Sequence, residues 1–194
     1  MSQLSLNKLF NSGLRWIWLT VLVLIIDQWT KLWANEALAG GQIIEVMPHF
    51  DFRLAYNYGA AFSFLADAGG WQTWALSIFA IVISIVLLVW LSRLKHTERW
   101  LSIALALVLS GAIGNVYDRL SYGYVIDFID WYVSKSGYHW PAFNIADAAI
   151  SIGAVMLIIE SLFFNHDDKD SEMVKRTGSD KKPSPNKKSE SKSK

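Results

Sequence analysis

The sequence predicts an all-α membrane protein: four transmembrane helices with a small β element in the first outer loop, at the membrane surface. Three observations carry this. Only 18% of the 194 residues are charged and 53% are hydrophobic, whereas roughly 25% of an ordinary soluble domain is charged. Two stretches, Trp71–Ser92 and Trp100–Tyr117, run for 22 and 18 residues without an Asp, Glu, Lys or Arg, close to the ~20 that cross the hydrocarbon as a helix. Lys and Arg gather in alternate connecting segments, the pattern that loops on the cytoplasmic side of a membrane acquire.

In chain order, residues 1–13 are expected to form a cytoplasmic N-terminus, 14–164 a four-span domain and 165–194 a disordered, basic cytoplasmic tail. The spans fall at about 14–34, 71–92, 99–119 and 142–162. The first is apolar from Trp16 to Ile26 and is then broken by Asp27 and Lys31. A cleaved signal peptide would instead show small residues closing a short apolar core. In the loop that follows, Phe50-Asp51-Phe52-Arg53-Leu54 alternates with the period of a strand. Gly59-Ala60-Ala61 then allows close backbone approach. The fourth span is apolar from Ala148 to Ile159 but is entered through Asn144 and Asp147. Trp16, Trp18, Trp71, Trp74, Trp100, Trp131 and Trp140 stand near span ends, where amphipathic rings anchor. The tail has eight basic and two acidic residues from Lys175 onward, no aromatic residue, and reads as solvated chain. The two helix pairs show no internal repeat, and no cysteine is present, which excludes thiol catalysis and thiolate metal sites.

The charge distribution orients the chain. Lys8 and Arg15 precede the first span, Arg93, Lys95 and Arg99 join the second to the third, and the tail is rich in lysine. The long loop Asn35–Gly70 holds only Arg53, and the loop after the third span holds Lys135 with Arg119 at its start. Both termini are therefore expected in the cytoplasm. Asp27, Lys31, Asn57, Asn115, Asp118, Arg119, Asp127, Asn144 and Asp147 then all fall at the outer face. Intramembrane charge costs at least ~2.5 kcal/mol per residue at the bilayer centre and is read as functional. Scattered structural accidents would not gather at one face.

Asp127 and Asp147 are the pair with chemistry to offer. Two close carboxylates do not both ionise cheaply, so one keeps a proton while the other acts as base, the division of labour that peptide hydrolysis needs. Spacing alone leaves open an N-cap role for Asp147 or an ion pair with Arg119. Gly111 and Gly114 would let a neighbour approach the third span. Asn115 and Arg119 share a helical face, as do Asp27 and Lys31, whose pairing reads as a structural ion pair in the first span.

Five blocks occur in order: Asp27-Gln28-Trp29-Thr30-Lys31; Tyr56-Asn57-Tyr58-Gly59-Ala60-Ala61-Phe62-Ser63; Gly111 to Arg119; Val125-Ile126-Asp127-Phe128; and Pro141-Ala142-Phe143-Asn144-Ile145-Ala146-Asp147. Together, across about residues 14 to 162, they resemble the lipoprotein signal peptidases (signal peptidase II), a family of bacterial membrane aspartyl proteases. The resemblance implies Asp127 and Asp147 as catalytic, with Asn57, Asn115, Arg119 and Asn144 supporting the dyad or binding substrate. It implies Asp27, Lys31, Gly111 and Gly114 as structural near the site. It further implies diacylglyceryl-modified prolipoproteins as substrates, cut just before the lipid-modified cysteine. Contact with membrane lipids, a monomeric chain in the bacterial cytoplasmic membrane, and neither cofactor, metal nor nucleic acid complete that expectation.

Other classes fit less well. A proton-conducting transporter would carry ionisable residues across the bilayer, yet they stop at the outer side and the second span has none. A Ser63–Lys31 nucleophile lacks a Gly-x-Ser-x-Gly elbow. His49, His96, His139 and His166 are scattered, with no His-Glu-x-x-His motif for zinc.

Overall fold

The computed structural model describes residues 11–59 and 70–163. Ala60, Ala61, Ser63 and the basic tail lie outside the described residues. The fold that follows belongs to the unit Met1–Ile158; of the second unit, Ile159–Lys194, the described part is the helical end up to Phe163.

A 3-10 turn, Gly13–Trp16, opened by the Ser12 hydroxyl accepting from the Leu14 amide at 3.3 Å, runs into helix α1 (Ile17–Ala37). Helices α2 (Trp71–Arg93), α3 (Arg99–Tyr122) and α4 (Ile145–Phe163) follow. All four are long and apolar enough to cross a membrane. Hydropathy locates each helix, but its ends are set by hydrogen bonding. Thus α3 continues through its polar end until Gly123 takes φ 86° and returns its N–H to the Arg119 carbonyl, a left-handed stop suited to glycine. Helix α4 begins at Ile145 because Asn144 caps it, the Asn144 side-chain oxygen accepting from the Asp147 amide at 2.9 Å.

Burial is inverted relative to a soluble helix. In α1 the buried residues are Thr20, Asp27, Lys31 and Ala34, one stripe at helical spacing. Asp27 and Lys31 are 0% and 1% exposed, whereas Ile25 is 61% exposed and Trp29 69%. Water would select the reverse; a hydrocarbon surround accepts it. Helix α3 is central, and its buried face runs from Ser102 to Asp118. Leu105 and Leu109 on that helix pack with Leu87, Leu91 and Leu94 from the end of α2. Toward α1 and α4 the contact is made by glycines. A Cβ on Gly114 would stand 2.7 Å from the Asp27 carboxylate, and one on Gly111 would overlap the Ala146 carbonyl. On α4, a Cβ on Gly153 would meet the Ala104 carbonyl at 2.7 Å. Bulk removed at these points lets the polar ends of three helices meet.

The sheet is larger than the single expected strand. Strands β1 (Ile43–Met47), β2 (Phe50–Asn57) and β3 (Val125–Trp131) pair antiparallel in that order. The third strand comes from the second outer loop. It was hidden in the sequence because its residues are buried on both faces up to Phe128, so no alternation marks it. Phe128 packs with Ala34 and Leu38 of α1 and with Phe52, while Trp33 meets Phe52 edge-on at 5.4 Å. Adjacent strand residues point to opposite faces. The side chain of Phe128 therefore fastens the sheet to α1, and that of Asp127 points away from this contact.

Candidate active site

Asp127 is presented by β3 between two amides. Ala55 is its partner across the ladder and Asn57 pairs with Val125, so Asn57 is a diagonal neighbour on the facing strand. Its Nδ2 donates to Asp127 Oδ2 at 3.2 Å, and Asn144 Nδ2 donates to Asp127 Oδ1 at 2.7 Å. Asp127 is 2% exposed. Burial, and next the neighbouring Asp147 carboxyl, push its pKa up to about 7, against the opposing pull of Asn57, Lys31 and Asn144.

Asp147 stands in the first turn of α4, where Asn144 and Asp147 form a reciprocal capping pair. Asn144 Oδ1 accepts from the Asp147 amide, and the Asn144 amide donates to Asp147 Oδ2 at 3.3 Å. Asn115 Nδ2 donates to Asp147 Oδ1 at 2.7 Å. One residue, Asn144, thus caps the helix carrying one aspartate while its amide holds the other.

Beneath this pair lies a buried charge cluster. Lys31 Nζ is 2.9 Å from Asp27 Oδ2 and 2.9 Å from Asp118 Oδ2, and donates to Asn115 Oδ1 at 3.0 Å. That last bond fixes the Asn115 amide, turning its nitrogen toward Asp147. Gln28 Nε2 bridges the two carboxylates, at 3.1 Å from Asp27 and 2.9 Å from Asp118. Each carboxylate also accepts one backbone N–H: Asp27 from Ala146 at 2.9 Å, Asp118 from Ile126 at 3.2 Å. Ala146 immediately precedes Asp147, and Ile126 immediately precedes Asp127. The ammonium on α1 is therefore shared by the two anchors from which the upper aspartates are hung.

Arg119 gives its guanidinium to backbone: Nη1 to the Asn115 carbonyl at 3.3 Å and Nη2 to the Gly59 carbonyl at 2.9 Å. Its Nε is buried without a hydrogen-bond partner. Asn57, Asn115, Arg119, Asp127 and Asp147 line one cavity of about 720 Å³, completed by an apolar wall of Trp140, Pro141, Phe143, Ile150 and Ile152. Two carboxyls lining one space that also offers an apolar wall suit hydrolysis of a bond in an amphiphilic substrate.

The family model for signal peptidase II (SPase II) matches residues 19–163. The chain belongs to the signal peptidase II family. It is 52% identical over 166 residues to the lipoprotein signal peptidase of Alteromonas mediterranea, covering 85% of this chain and 89% of that relative. It is 56% identical over 150 residues to the lipoprotein signal peptidase of Pseudomonas putida, covering 76% of this chain and 86% of the relative. Among solved structures it is similar to a bacterial membrane enzyme determined by the in meso method at 2.3 Å, with TM-score 0.66 and 31% identity over 88% of this chain and 93% of that one. A second such structure, at 1.9 Å, gives TM-score 0.66 and 34% identity over 76% and 92%. With four membrane-length apolar helices and these relatives, the chain is a multi-pass membrane protein.

In this signal peptidase II chain, the residues that the sequence assigns to the aspartate site and its support fall in one connected region. Asp127, Asp147, Asn57, Asn115, Arg119 and Asn144 lie at or on the cavity. Asp27 and Lys31 lie beneath it, and Gly111 and Gly114 lie at the helix contacts with Ala146 and Asp27. Sequence reasoning gave no role to Asp118 or Gln28. The available clue was charge: Asp118 is buried on α3 near a lysine already matched to one aspartate. The Trp140–Phe143 wall was also missed, because its residues carry no chemistry of their own.

Proposed function

We propose that the chain is a membrane aspartyl endopeptidase that removes signal peptides from diacylglyceryl-modified prolipoproteins, cutting just before the lipid-modified cysteine. The observation that carries this is the joint suspension of Asp127 and Asp147 over one cavity by a single amide residue, Asn144. The named relatives, lipoprotein signal peptidases, supply the substrate class.

In the mechanism, Asp127, whose pKa of about 7 favours the acid form, supplies a proton and Asp147 serves as base. Asp147 takes a proton from water as the water oxygen attacks the scissile carbonyl carbon, and Asp127 gives its proton to the carbonyl oxygen. The tetrahedral intermediate then collapses. The C–N bond breaks, Asp147 passes its proton to the leaving amine, and Asp127 recovers one from the intermediate's hydroxyl. No cofactor or metal takes part. Asn57, Asn115 and Asn144 hold the carboxyls through three side-chain bonds and one from the Asn144 backbone N–H, and Arg119 stands where its guanidinium can meet a substrate carbonyl. Asp27, Lys31, Asp118 and the glycines are scaffold.

Both termini face the cytoplasm and the site opens at the outer face of the bacterial cytoplasmic membrane, at the depth where acyl chains meet headgroups. The apolar wall would receive the lipid-modified residue, surrounding membrane lipids complete the environment, and the enzyme works as a monomer. Incubation of purified protein in detergent with a diacylglyceryl-modified prolipoprotein, without added metal, should release the signal peptide. Equal cleavage of the unmodified precursor would overturn the substrate assignment.

A further inference from the structure

The apolar wall of the cavity is carried by the segment between β3 and α4, which folds back on itself. Val133 donates to the Tyr138 carbonyl at 2.9 Å, Trp140 to that of Trp131 at 2.7 Å, and Phe143 to that of Ile129 at 3.1 Å. The returning arm delivers Trp140, Pro141, Ala142 and Phe143 to the cavity. Directly before them stands His139.

At the base of this segment two carboxylates oppose one another. Asp51 on β2 and Asp130 on β3 are direct Cα partners and are 6% and 1% exposed. Like charges so placed repel. The permanent cation beside them is Arg53, its Nε 3.3 Å from Asp130 Oδ2. His139 meets the same carboxylate, its Nδ1 2.9 Å from Asp130 Oδ2. The other ring nitrogen, Nε2, lies 3.5 Å from the Lys135 carbonyl oxygen. Both ring nitrogens therefore face acceptors, and only the imidazolium, with two N–H donors, satisfies both.

The remaining groups near the ring are accounted for. The Tyr132 ring lies 5.1 Å from that of His139, and its hydroxyl reaches Asp51 Oδ1 at 3.4 Å. The Lys135 ammonium is paired with Glu45 and also lies within electrostatic reach of Asp51. His49 sits on the far side of Tyr132, its Nδ1 3.2 Å from the Tyr132 carbonyl.

We propose that His139 is a pH-sensitive positioning residue: as imidazolium it clamps the Trp131–Phe143 segment to Asp130 and so holds the wall against which the substrate's apolar part binds. This rests on the lipoprotein-cleaving reading above. The clamp acts on substrate binding and leaves the chemical step to the dyad. It is closed while the ring is an imidazolium and open while the ring is neutral, and histidine is the side chain type whose charge ordinarily changes over about pH 5 to 8. Because the ring is partly exposed, the effect is modest, roughly fivefold in KM.

The test is to measure kcat and KM separately on a diacylglyceryl-modified prolipoprotein in detergent across that pH range. The wild type should show KM rising roughly fivefold with pH. His139→Gln should have a raised KM that no longer responds to pH, with kcat at the wild-type value. His139→Lys, permanently charged, should keep KM low throughout, and His49→Gln should behave as wild type. Thermal unfolding of each variant shows whether it is folded; if the Gln variant is not, the wild-type and Lys profiles decide. Absence of wild-type cleavage at every pH would sink the lipoprotein-cleaving reading itself. Cleavage with a pH-independent wild-type KM, or a His139→Gln KM that still follows pH, would overturn the clamp alone.

Discussion

Replacing Asp127 with Asn separates the chemical role of that carboxyl from the energetic consequence of burying it. In the folded protein its pKa is raised from 3.8 to about 7, so the native state keeps a proton that the unfolded chain has already released. Stability from this group is complete below the unfolded value and falls as pH rises toward the folded one. At 1.36 kcal/mol per unit, the wild type should lose ~3 kcal/mol between about pH 5 and pH 8. The amide variant does not ionise and escapes that loss. It carries a fixed penalty instead. Asn57 and Asn144 both donate to Asp127, so one donor would meet the new NH2 group, at ~1 kcal/mol for the lost bond. Thermal unfolding in detergent across this pH range should therefore show the Tm difference moving in favour of Asp127→Asn by about 8 °C as pH rises. Below about pH 7, where Asp127 keeps its proton, turnover of the variant should be lower by at least ~100-fold. Parallel Tm curves for the two proteins would refute the reasoning, because Asp127 would then hold no extra proton in the native state.

The same proton sets the alkaline limb of the wild-type rate: kcat should fall above about pH 7, and a kcat still level two units higher would remove Asp127 as the acid. Arg119→Ala should lower kcat/KM by ~10- to 100-fold, since charge-assisted hydrogen bonds to a substrate carbonyl would be lost; Tm should stay close to wild type, and undiminished kcat/KM would take Arg119 out of the site. Lys31→Met leaves Asp27 and Asp118 buried without their shared cation, at ~3–5 kcal/mol for a broken buried pair. Unfolding of the Met variant at wild-type Tm would show that the cluster does not support the fold.

Much of this was legible from residues alone, for a physical reason. Charge inside a bilayer is costly, so Asp27, Lys31, Asn115 and Asp147 stood out against apolar surroundings, and loop lysines and arginines gave a common expected face. Gly111 and Gly114 were readable as points of close approach because no other residue removes as much bulk. What stayed hidden depends on contacts between distant segments. Strand β3 has no alternation to betray it, and its pairing with β2 brings Asn57 to Asp127 across 70 residues of sequence. Asn144 was expected to point to the same region as Asp147, yet its double service as helix cap and Asp127 partner required the loop geometry. Asp118 looked like one more carboxylate in a polar block until Lys31 was found between it and Asp27. The opposition of Asp51 and Asp130 is a matter of strand register, which local composition does not specify.

The central claim is that Asp127 and Asp147 together hydrolyse the bond before a lipid-modified cysteine, and one side-by-side assay tests it most directly. Purified wild type, Asp127→Asn and Asp147→Asn, each shown to be folded, are incubated with the same diacylglyceryl-modified prolipoprotein and the released signal peptide is measured. Cleavage by the wild type with near-complete loss in both variants is the expected result. Wild-type rates from either variant would contradict the claim.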